Sequence, residues 1–111
     1  MTTGEVWEVN FSPQVGDEIR KTRPAIVVNN DTMGALDLKV VVPVTDGLKV
    51  PKEWHVVLTP SPSNGLTKLS IADCFQVKSV SQKRFIRRLG KLSSDEMDDV
   101  KLGLMKVLDL L

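Results

Sequence analysis

The 111-residue sequence contains one cysteine, Cys74, and one histidine, His55. A single cysteine excludes an intrachain disulfide, and this cysteine usage does not point to secretion. One cysteine and one histidine also cannot supply the nitrogen and sulfur ligands of a usual zinc site. The composition therefore excludes disulfide-stabilised domains and the common zinc enzymes, and we expect no cofactor.

The sequence also lacks any apolar run long enough to span a membrane. Its first residues do not follow the basic, apolar and small-residue order of a signal peptide, so we expect a cytoplasmic protein. There is no tyrosine, and only five residues are phenylalanine or tryptophan. With 41% hydrophobic and 26% charged residues, the chain has the composition of one globular domain covering residues 1–111.

The net charge of +1 is too small for the behaviour of a bulk polycation, so affinity for nucleic acid would depend on local placement of charge. Between residues 78 and 91 there are six cations and no acid, which leaves −5 on the rest of the chain. A run of this kind is either a solvated face or a binding surface, and composition does not decide between them.

Short β-branched runs separated by glycine and proline turns predict strands at residues 5–11, 25–29, 38–44, 54–59 and 86–92. Residues 66–80 alternate in two parts and predict one or two further strands, followed by a short helical turn at 81–85. Pro43 suggests an edge strand or a bulge near the end of the third run, because proline cannot donate a ladder hydrogen bond.

The only long helix predicted closes the chain. Ser93 begins an S-x-x-E capping box with Glu96, and acids cluster in the first turn, where the helix dipole favours them. Apolar residues then recur every three or four positions from Met97 onward. Leu102 and Met105 lie off this stripe, which leaves open a contact with a second subunit or a broad contact with the core. Many short strands with one terminal helix predict a mainly β, α+β fold: a small, strongly bent antiparallel barrel.

Arg23 stands directly before Pro24 and a β-branched run. Proline fixes its own φ and biases the preceding residue toward an extended conformation, so the arginine side chain is aimed from the first position of a strand. A guanidinium held in this way matches the geometry of a phosphate or a carboxylate. From the residues alone, an ion pair with Asp17 or Glu18 that closes the loop is the more common arrangement and the safer interpretation.

Four segments occur in an order and spacing that resemble a known family. They are GEVW at 4–7, RPAIVV at 23–28, PVT at 43–45 and CFQVKS at 74–79. Together they resemble the MazF/PemK family of toxins, the endoribonucleases of toxin–antitoxin modules. The resemblance runs from Gly4 to about Leu108. It implies a homodimer of SH3-like bent barrels that cuts single-stranded mRNA at short sequences without a metal ion.

The resemblance also implies site residues. Arg23 and Thr45 match the catalytic arginine and hydroxyl of the family, and Glu18 falls at the position of an acid in the first loop. Metal-free attack of a ribose 2′-hydroxyl on phosphorus concentrates negative charge on the non-bridging oxygens, and an arginine with a hydroxyl donor stabilises that charge. Our hypothesis makes Arg23 the phosphate clamp and a candidate acid, Thr45 the hydroxyl donor and Glu18 the candidate base. His55 is interpreted as a structural strand residue.

The substrate groove of the family implies RNA contacts from the first two large loops and from the CFQVKS segment. The candidates are Asn10, Gln14, Arg20, Lys21, Lys49, Lys52, Gln76 and Lys78. The partners expected are single-stranded mRNA, a cognate antitoxin protein and a second copy of the chain. Contact with DNA is expected only through the antitoxin, and no contact with a membrane is expected.

Two other functions remain open for this fold, because fold alone does not determine function. One is a non-enzymatic toxin that poisons DNA gyrase, and the other is a plain SH3-like module that binds RNA or protein. A gyrase binder has no need to keep Arg23 and Thr45 together, and the chain has no apolar, tryptophan-bearing tail after its last helix.

Overall fold

Seven strands and one helix make up the computed structural model, which describes residues 1–12, 16–17, 21–33, 36–47 and 50–111. The strands are β1 (Glu5–Asn10), β2 (Thr22–Val27), β3 (Leu38–Asp46), β4 (His55–Leu58), β5 (Ser70–Asp73), β6 (Lys78–Ser81) and β7 (Phe85–Lys91). The helix α1 spans Ser94–Val107, and single 3-10 turns occupy Cys74–Gln76 and Gln82–Arg84. The segment at 66–80 therefore contains two strands, and the helical turn predicted at 81–85 is present.

The strands form one antiparallel sheet in the order β4-β5-β3-β2-β1-β7, with β6 paired to β3. A mainly β architecture with one C-terminal helix confirms the predicted fold class. The bent barrel predicted from the sequence is not closed, however, because β4 and β7 have no pairing with each other among the described residues. Each of these two strands instead ends the sheet, paired on one side only to β5 and to β1 respectively.

Pro43 lies inside the central strand β3, so of the two alternatives predicted from the sequence the edge strand is wrong. On one side it pairs with Ala25 of β2. On the other side, β6 pairs with residues 38–41 and β5 pairs with residues 44–46. Pro43 therefore stands where β3 changes partner, so its missing N–H removes no hydrogen bond from either ladder on that side.

The hydrophobic core is divided into two clusters. The larger includes Val6, Ile26 and Val42 of the sheet together with Met97 and Val100 of α1. The smaller lies among Val9, Phe11, Ala25, Val41 and Val80, with Trp7 and Phe85 packed against it. Because strand residues alternate in direction, neighbouring residues such as Ala25 and Ile26 supply opposite faces of the sheet.

The helix begins as its sequence predicts. The Ser93 hydroxyl accepts a hydrogen bond from the Glu96 N–H at 3.1 Å, and the Glu96 carboxylate accepts one from the Ser93 N–H at 2.8 Å. Leu102 and Met105 are 42% and 41% exposed, so they do not belong to the core contact. No helix among the described residues is long and apolar enough to cross a membrane.

A tight loop before β5 packs directly on β7. A Cβ atom at Gly65 would lie 2.0 Å from the carbonyl oxygen of Leu89, and one at Gly90 would lie 2.4 Å from that of Ser63. Gly65 also has a φ of +70°, which disfavours other residues. Buried Asn64 holds the loop by donating to the Thr59 carbonyl at 2.9 Å and to the Glu96 carboxylate at 3.0 Å.

Candidate active site

Arg23 and Thr45 lie on the adjacent strands β2 and β3, just beyond the last pair of their ladder. The recorded ladder between β2 and β3 pairs Ala25 with Pro43 and Val27 with Val41. Continuing this register by two residues places Arg23 opposite Thr45. Alternate residues share a face, so both side chains belong to the face that carries the smaller core cluster. Both residues are partly buried, at the end of the strand pair where the ladder stops.

Both residues line one cavity of about 410 Å³. Its other walls come from β1, from β7 and from the chain at residues 65–70. The charged residues that line it are Glu8, Arg23, Asp46, Lys68, Arg87 and Arg88. Four residues with hydroxyl groups also line it: Thr22, Thr45, Thr67 and Ser70. A cavity with an excess of cations and several hydroxyls suits an anionic ligand such as a phosphodiester.

Asp46 forms an ion pair with one of these cations, Lys68, and is influenced by the charge of a second, Arg23. Lys68 Nζ lies 2.9 Å from Asp46 Oδ1. This hydrogen bond, aided by the charges of Lys68 and Arg23, holds the pKa of Asp46 below its ordinary value and outweighs the small effect of desolvation. Asp46 is therefore an anion at neutral pH, and its charge acts on the guanidinium of Arg23.

The wall formed by β1 and β7 carries two further ion pairs. Arg87 Nε lies 3.4 Å from Glu8 Oε2, and Arg88 Nε lies 3.7 Å from Glu5 Oε1. Burial acts to raise the pKa of Glu5, but hydrogen bonds from Trp7 and Thr2 and the charge of Arg88 outweigh it, so the pKa is lowered. Both arginines remain at least half exposed, which leaves guanidinium surface available to a ligand.

Comparison with known families shows the family to which this chain belongs. The family model described as PemK-like, MazF-like toxin of type II toxin-antitoxin system matches residues 2–108. The chain belongs to this toxin family. The resemblance of the four sequence segments is thereby confirmed.

One curated relative and two solved structures show how far the similarity extends. The chain is 32% identical over 116 residues to Endoribonuclease MazF9 of Mycobacterium tuberculosis, covering 99% of this chain and 98% of the relative. It superposes on MazF (Form-I) from Deinococcus radiodurans with a TM-score of 0.82 at 24% identity, covering 98% and 96% of the two chains. An endoribonuclease in complex with its cognate antitoxin, from a mycobacterial species, gives 0.81 at 17% identity, covering 100% and 97%. At these identities the two structures support the fold alone.

Of the predicted RNA contacts, the five that the structure of this toxin-family member describes do not line the cavity of Arg23 and Thr45: Asn10, Lys21, Lys52, Gln76 and Lys78. Asn10 is exposed at the end of β1, where its side-chain oxygen accepts a hydrogen bond from the Ser12 N–H at 2.9 Å. Lys21 is exposed, has a φ of +63° and stands directly before β2. Lys52 is exposed before β4, and its N–H donates to Nδ1 of His55 at 2.9 Å.

Gln76 and Lys78 line two separate cavities. Gln76 borders one of about 450 Å³ together with Trp54, Asp73 and Phe75, and its amide donates to the Asp73 carboxylate at 3.1 Å. Lys78 borders one of about 160 Å³, and its amine lies 5.8 Å from the ring centroid of Phe11. The aromatic ring of Phe75 is 64% exposed and 5.5 Å from that of Trp54.

Four of the predicted site residues fall outside the part of the chain that the structure describes. Glu18, the proposed base, lies outside the described residues, as do the proposed RNA contacts Gln14, Arg20 and Lys49. Among the described residues no ion pair joins Arg23 to Asp17, and the charges of Asp46 and Arg23 act on each other. His55 lies on β4 with Nε2 3.9 Å from Asp73 Oδ1, in agreement with a structural role.

Sequence reasoning missed five charged residues of the cavity. They are Glu8, Asp46, Lys68, Arg87 and Arg88. The basic run at 78–91 pointed toward the two arginines, but only the long-range pairing of β1 with β7 brings them beside Arg23. Asp46 follows Thr45 directly, so an acid beside the proposed hydroxyl donor was the available signal. Among the described residues, no group of three His, Cys, Asp or Glu side chains has the arrangement of a metal site.

Proposed function

We propose that this member of the toxin family is a metal-independent endoribonuclease that cleaves single-stranded mRNA at specific sequences. The observation that carries the proposal is the presence of Arg23 and Thr45 in one cationic cavity, on adjacent strands just beyond the end of the β2–β3 ladder. A guanidinium and a hydroxyl held by neighbouring strands stabilise a phosphorane-like transition state without moving during the reaction. The relative named Endoribonuclease MazF9 supports the same reaction class.

The proposed reaction begins with attack of a ribose 2′-hydroxyl on the adjacent phosphorus. The bond from phosphorus to the 5′-oxygen of the next nucleotide then breaks, leaving a 2′,3′-cyclic phosphate and a 5′-hydroxyl end. Arg23 binds the non-bridging oxygens and Thr45 donates a hydrogen bond to one of them. The 2′-hydroxyl proton passes to a general base, for which Glu18 is our candidate, and a proton returns to the leaving 5′-oxygen.

Two partners complete the proposal. The first is an antitoxin protein, since a structural neighbour was solved in complex with its cognate antitoxin. The second is another copy of the chain. Its support is the apolar surface at the C-terminal end, where Leu102, Met105, Leu108 and Leu110 are all more than 40% exposed. Light scattering coupled to size exclusion tests the dimer directly.

The test of the reaction is incubation of the purified protein with a long RNA in EDTA. We expect discrete fragments whose 5′ ends accept phosphate from polynucleotide kinase without prior phosphatase treatment. A substrate with a single 2′-deoxy sugar at the mapped site is expected to resist cleavage there. Arg23→Ala protein, purified in parallel, controls for contaminating ribonuclease. Intact RNA, or fragments with 5′-phosphate ends, would overturn the proposal.

A further inference from the structure

Arg84 belongs to the basic run but does not line the cavity of Arg23 and Thr45. It ends the 3-10 turn Gln82–Arg84, and its Nη1 donates hydrogen bonds to two main-chain carbonyls. One is the carbonyl of Asn10, at 3.1 Å, and the other is the carbonyl of Ser12. A guanidinium that bonds to two carbonyls is engaged with the protein itself, and this distinguishes Arg84 from a cation on a solvated face.

The two carbonyls flank Phe11, where the chain leaves β1. Phe11 is 3% exposed and packs in the smaller core cluster. Its N–H donates to the carbonyl of Lys21 at 2.8 Å, so the segment that leaves β1 is joined to the segment that enters β2. The Asn10 side chain closes the same turn by accepting from the Ser12 N–H.

Lys21 has a left-handed backbone, with a φ of +63°. A residue other than glycine is held in that region only when its surroundings compensate for the strain. The hydrogen bond from Phe11 is one such restraint, and Arg84 fixes the backbone on both sides of Phe11. Arg23 follows two residues after Lys21 and pairs with Val9, at the same end of the β1–β2 ladder.

We propose that Arg84 is a positioning residue for Arg23. By holding the Asn10–Ser12 turn, it keeps the end of the β1–β2 ladder in the register that directs the Arg23 guanidinium into the cavity. The proposal rests on the proposed ribonuclease function. The chain of contacts runs from Arg84 to the Phe11 turn, from there to Lys21, and from Lys21 along β2 to Arg23.

A competing role is direct attraction of the RNA backbone by the Arg84 charge. The two roles differ in salt dependence, because each phosphate contact that is lost lowers the slope of log affinity against log salt concentration by a little under one. A positioning role leaves that slope unchanged and lowers kcat. A phosphate contact raises KM and makes the slope shallower.

The experiment compares Arg84→Met with Lys83→Met in RNA cleavage over a range of salt concentrations. Both variants remove one cation from the same segment. Lys83 is exposed, and its side chain has no hydrogen bond or ion pair among the described residues. We expect Arg84→Met to lower kcat about tenfold with KM and salt slope unchanged, and Lys83→Met to match the wild type. Equal effects in both variants, or a raised KM with a shallower slope in Arg84→Met, would overturn the proposal.

Two further measurements separate positioning from general stability. Arg84→Lys keeps several N–H donors on one nitrogen, so we expect it to recover kcat to within about threefold of the wild type. In an Arg23→Lys background, Arg84→Met is expected to lower kcat much less than in the wild type, because coupled residues are not additive. Full additivity, or no recovery by lysine, counts against the proposal. If Arg84→Met does not fold, Arg84→Gln replaces it in the experiment. Its side chain is two bonds shorter than that of arginine, and we expect the same loss of kcat.

A structural measurement keeps this inference separate from the proposed reaction. Hydrogen exchange at the Phe11 amide, which bonds to Lys21, is expected to be at least about fivefold faster in Arg84→Met than in Lys83→Met. If the wild type leaves RNA intact, the proposed function fails, while the exchange comparison still tests whether Arg84 holds the turn. Equal exchange rates in the two variants would show that it does not.

Discussion

Arg23 of β2 and Thr45 of β3 line one cavity, and each lies two residues beyond the last pair of the β2–β3 ladder, Ala25 with Pro43. Beyond this point β3 pairs with β5, while β2 continues beside β1. The β2–β3 ladder ends before Arg23 and Thr45, and the cavity that both residues line lies at this end of the strand pair. The end of the β2–β3 ladder thus leaves one guanidinium and one hydroxyl at the same cavity, where a phosphate has access to both.

The first prediction concerns the acid beside this pair. Asp46→Asn removes the negative charge that acts on Arg23 and releases Lys68 from its 2.9 Å ion pair. We expect RNA to bind a few-fold more tightly, with a salt slope steeper by a little under one, because Lys68 becomes available to a phosphate. Fluorescence anisotropy with an RNA oligonucleotide that carries a single 2′-deoxy sugar at the mapped cleavage site measures this without cleavage. Asp98→Asn on the exposed face of α1 is the matched control, and weaker binding by Asp46→Asn would contradict the interpretation.

The second prediction concerns pH and stability at Glu5. Its hydrogen bonds and the Arg88 charge lower its pKa from the ordinary value of 4.5 despite burial. A carboxylate with a lowered folded-state pKa stabilises the fold above its unfolded-state pKa, and the contribution is lost as the pH falls through the folded-state value. The free energy of unfolding should therefore be higher for wild type than for Glu5→Gln at pH 6, with the difference shrinking toward pH 3. Exposed Glu53→Gln should show no such trend, and a difference that grows on acidification would be inconsistent with a lowered pKa.

The third prediction concerns Cys74, which is fully buried with its Sγ 3.7 Å from the carbonyl oxygen of Val100. Burial, with the nearby charge of Asp73, raises the pKa of this thiol to about 11. The reactive thiolate is therefore scarce at pH 8, and the sulfur is also inaccessible. Over the time in which protein unfolded in guanidinium reacts completely with a thiol reagent such as DTNB, native protein should remain unlabelled. RNA cleavage should survive that treatment, and rapid stoichiometric labelling of the native state would refute the assignment.

The fourth prediction concerns the loop that forms part of the cavity wall. Gly65→Ala places a Cβ atom 2.0 Å from the Leu89 carbonyl oxygen at a φ of +70°. We expect a loss of about 3 kcal/mol in the free energy of unfolding, from backbone strain and displacement of the loop. Gly47→Ala is the matched control, since its nearest atom is 3.4 Å away, and it should cost less than about 1 kcal/mol. If chemical denaturation shows the same loss in free energy of unfolding for both variants, the loop adapts freely to the added Cβ atom and the prediction is wrong.

Local signals in the sequence predicted the elements well. The Ser93 capping box and the helical turn near residues 81–85 depend on neighbouring residues, and both are present. The strand predicted at 25–29 instead begins at Thr22, because Arg23 and Pro24 pair with Val9 and Glu8 of β1. Whether the sheet closes was also not predictable, since closure depends on pairing between strands that are distant in sequence.

The candidate site also combines features that neighbouring residues predict with features that depend on long-range contacts. Arg23 was singled out because Pro24 follows it, which is a local constraint on the backbone. Thr45 was assigned only through the family resemblance, since an isolated threonine at a strand end carries no signal of its own. Arg87 reaches the cavity because β7 pairs with β1, and Lys68 because residues 65–70 pack beside them. Those contacts depend on tertiary packing that no short motif encodes.

The central claim is that Arg23 and Thr45 act together on one phosphate, and a double-mutant cycle in RNA cleavage tests it most directly. Arg23→Ala and Thr45→Val should each lower kcat by about 10²–10³, while Thr45→Ser should retain most of the rate. For two donors to the same transition state, we predict that the double variant is much less than additive and close to the slower single variant. Fully additive losses, or a Thr45→Val enzyme that cleaves at the wild-type rate, would contradict the account.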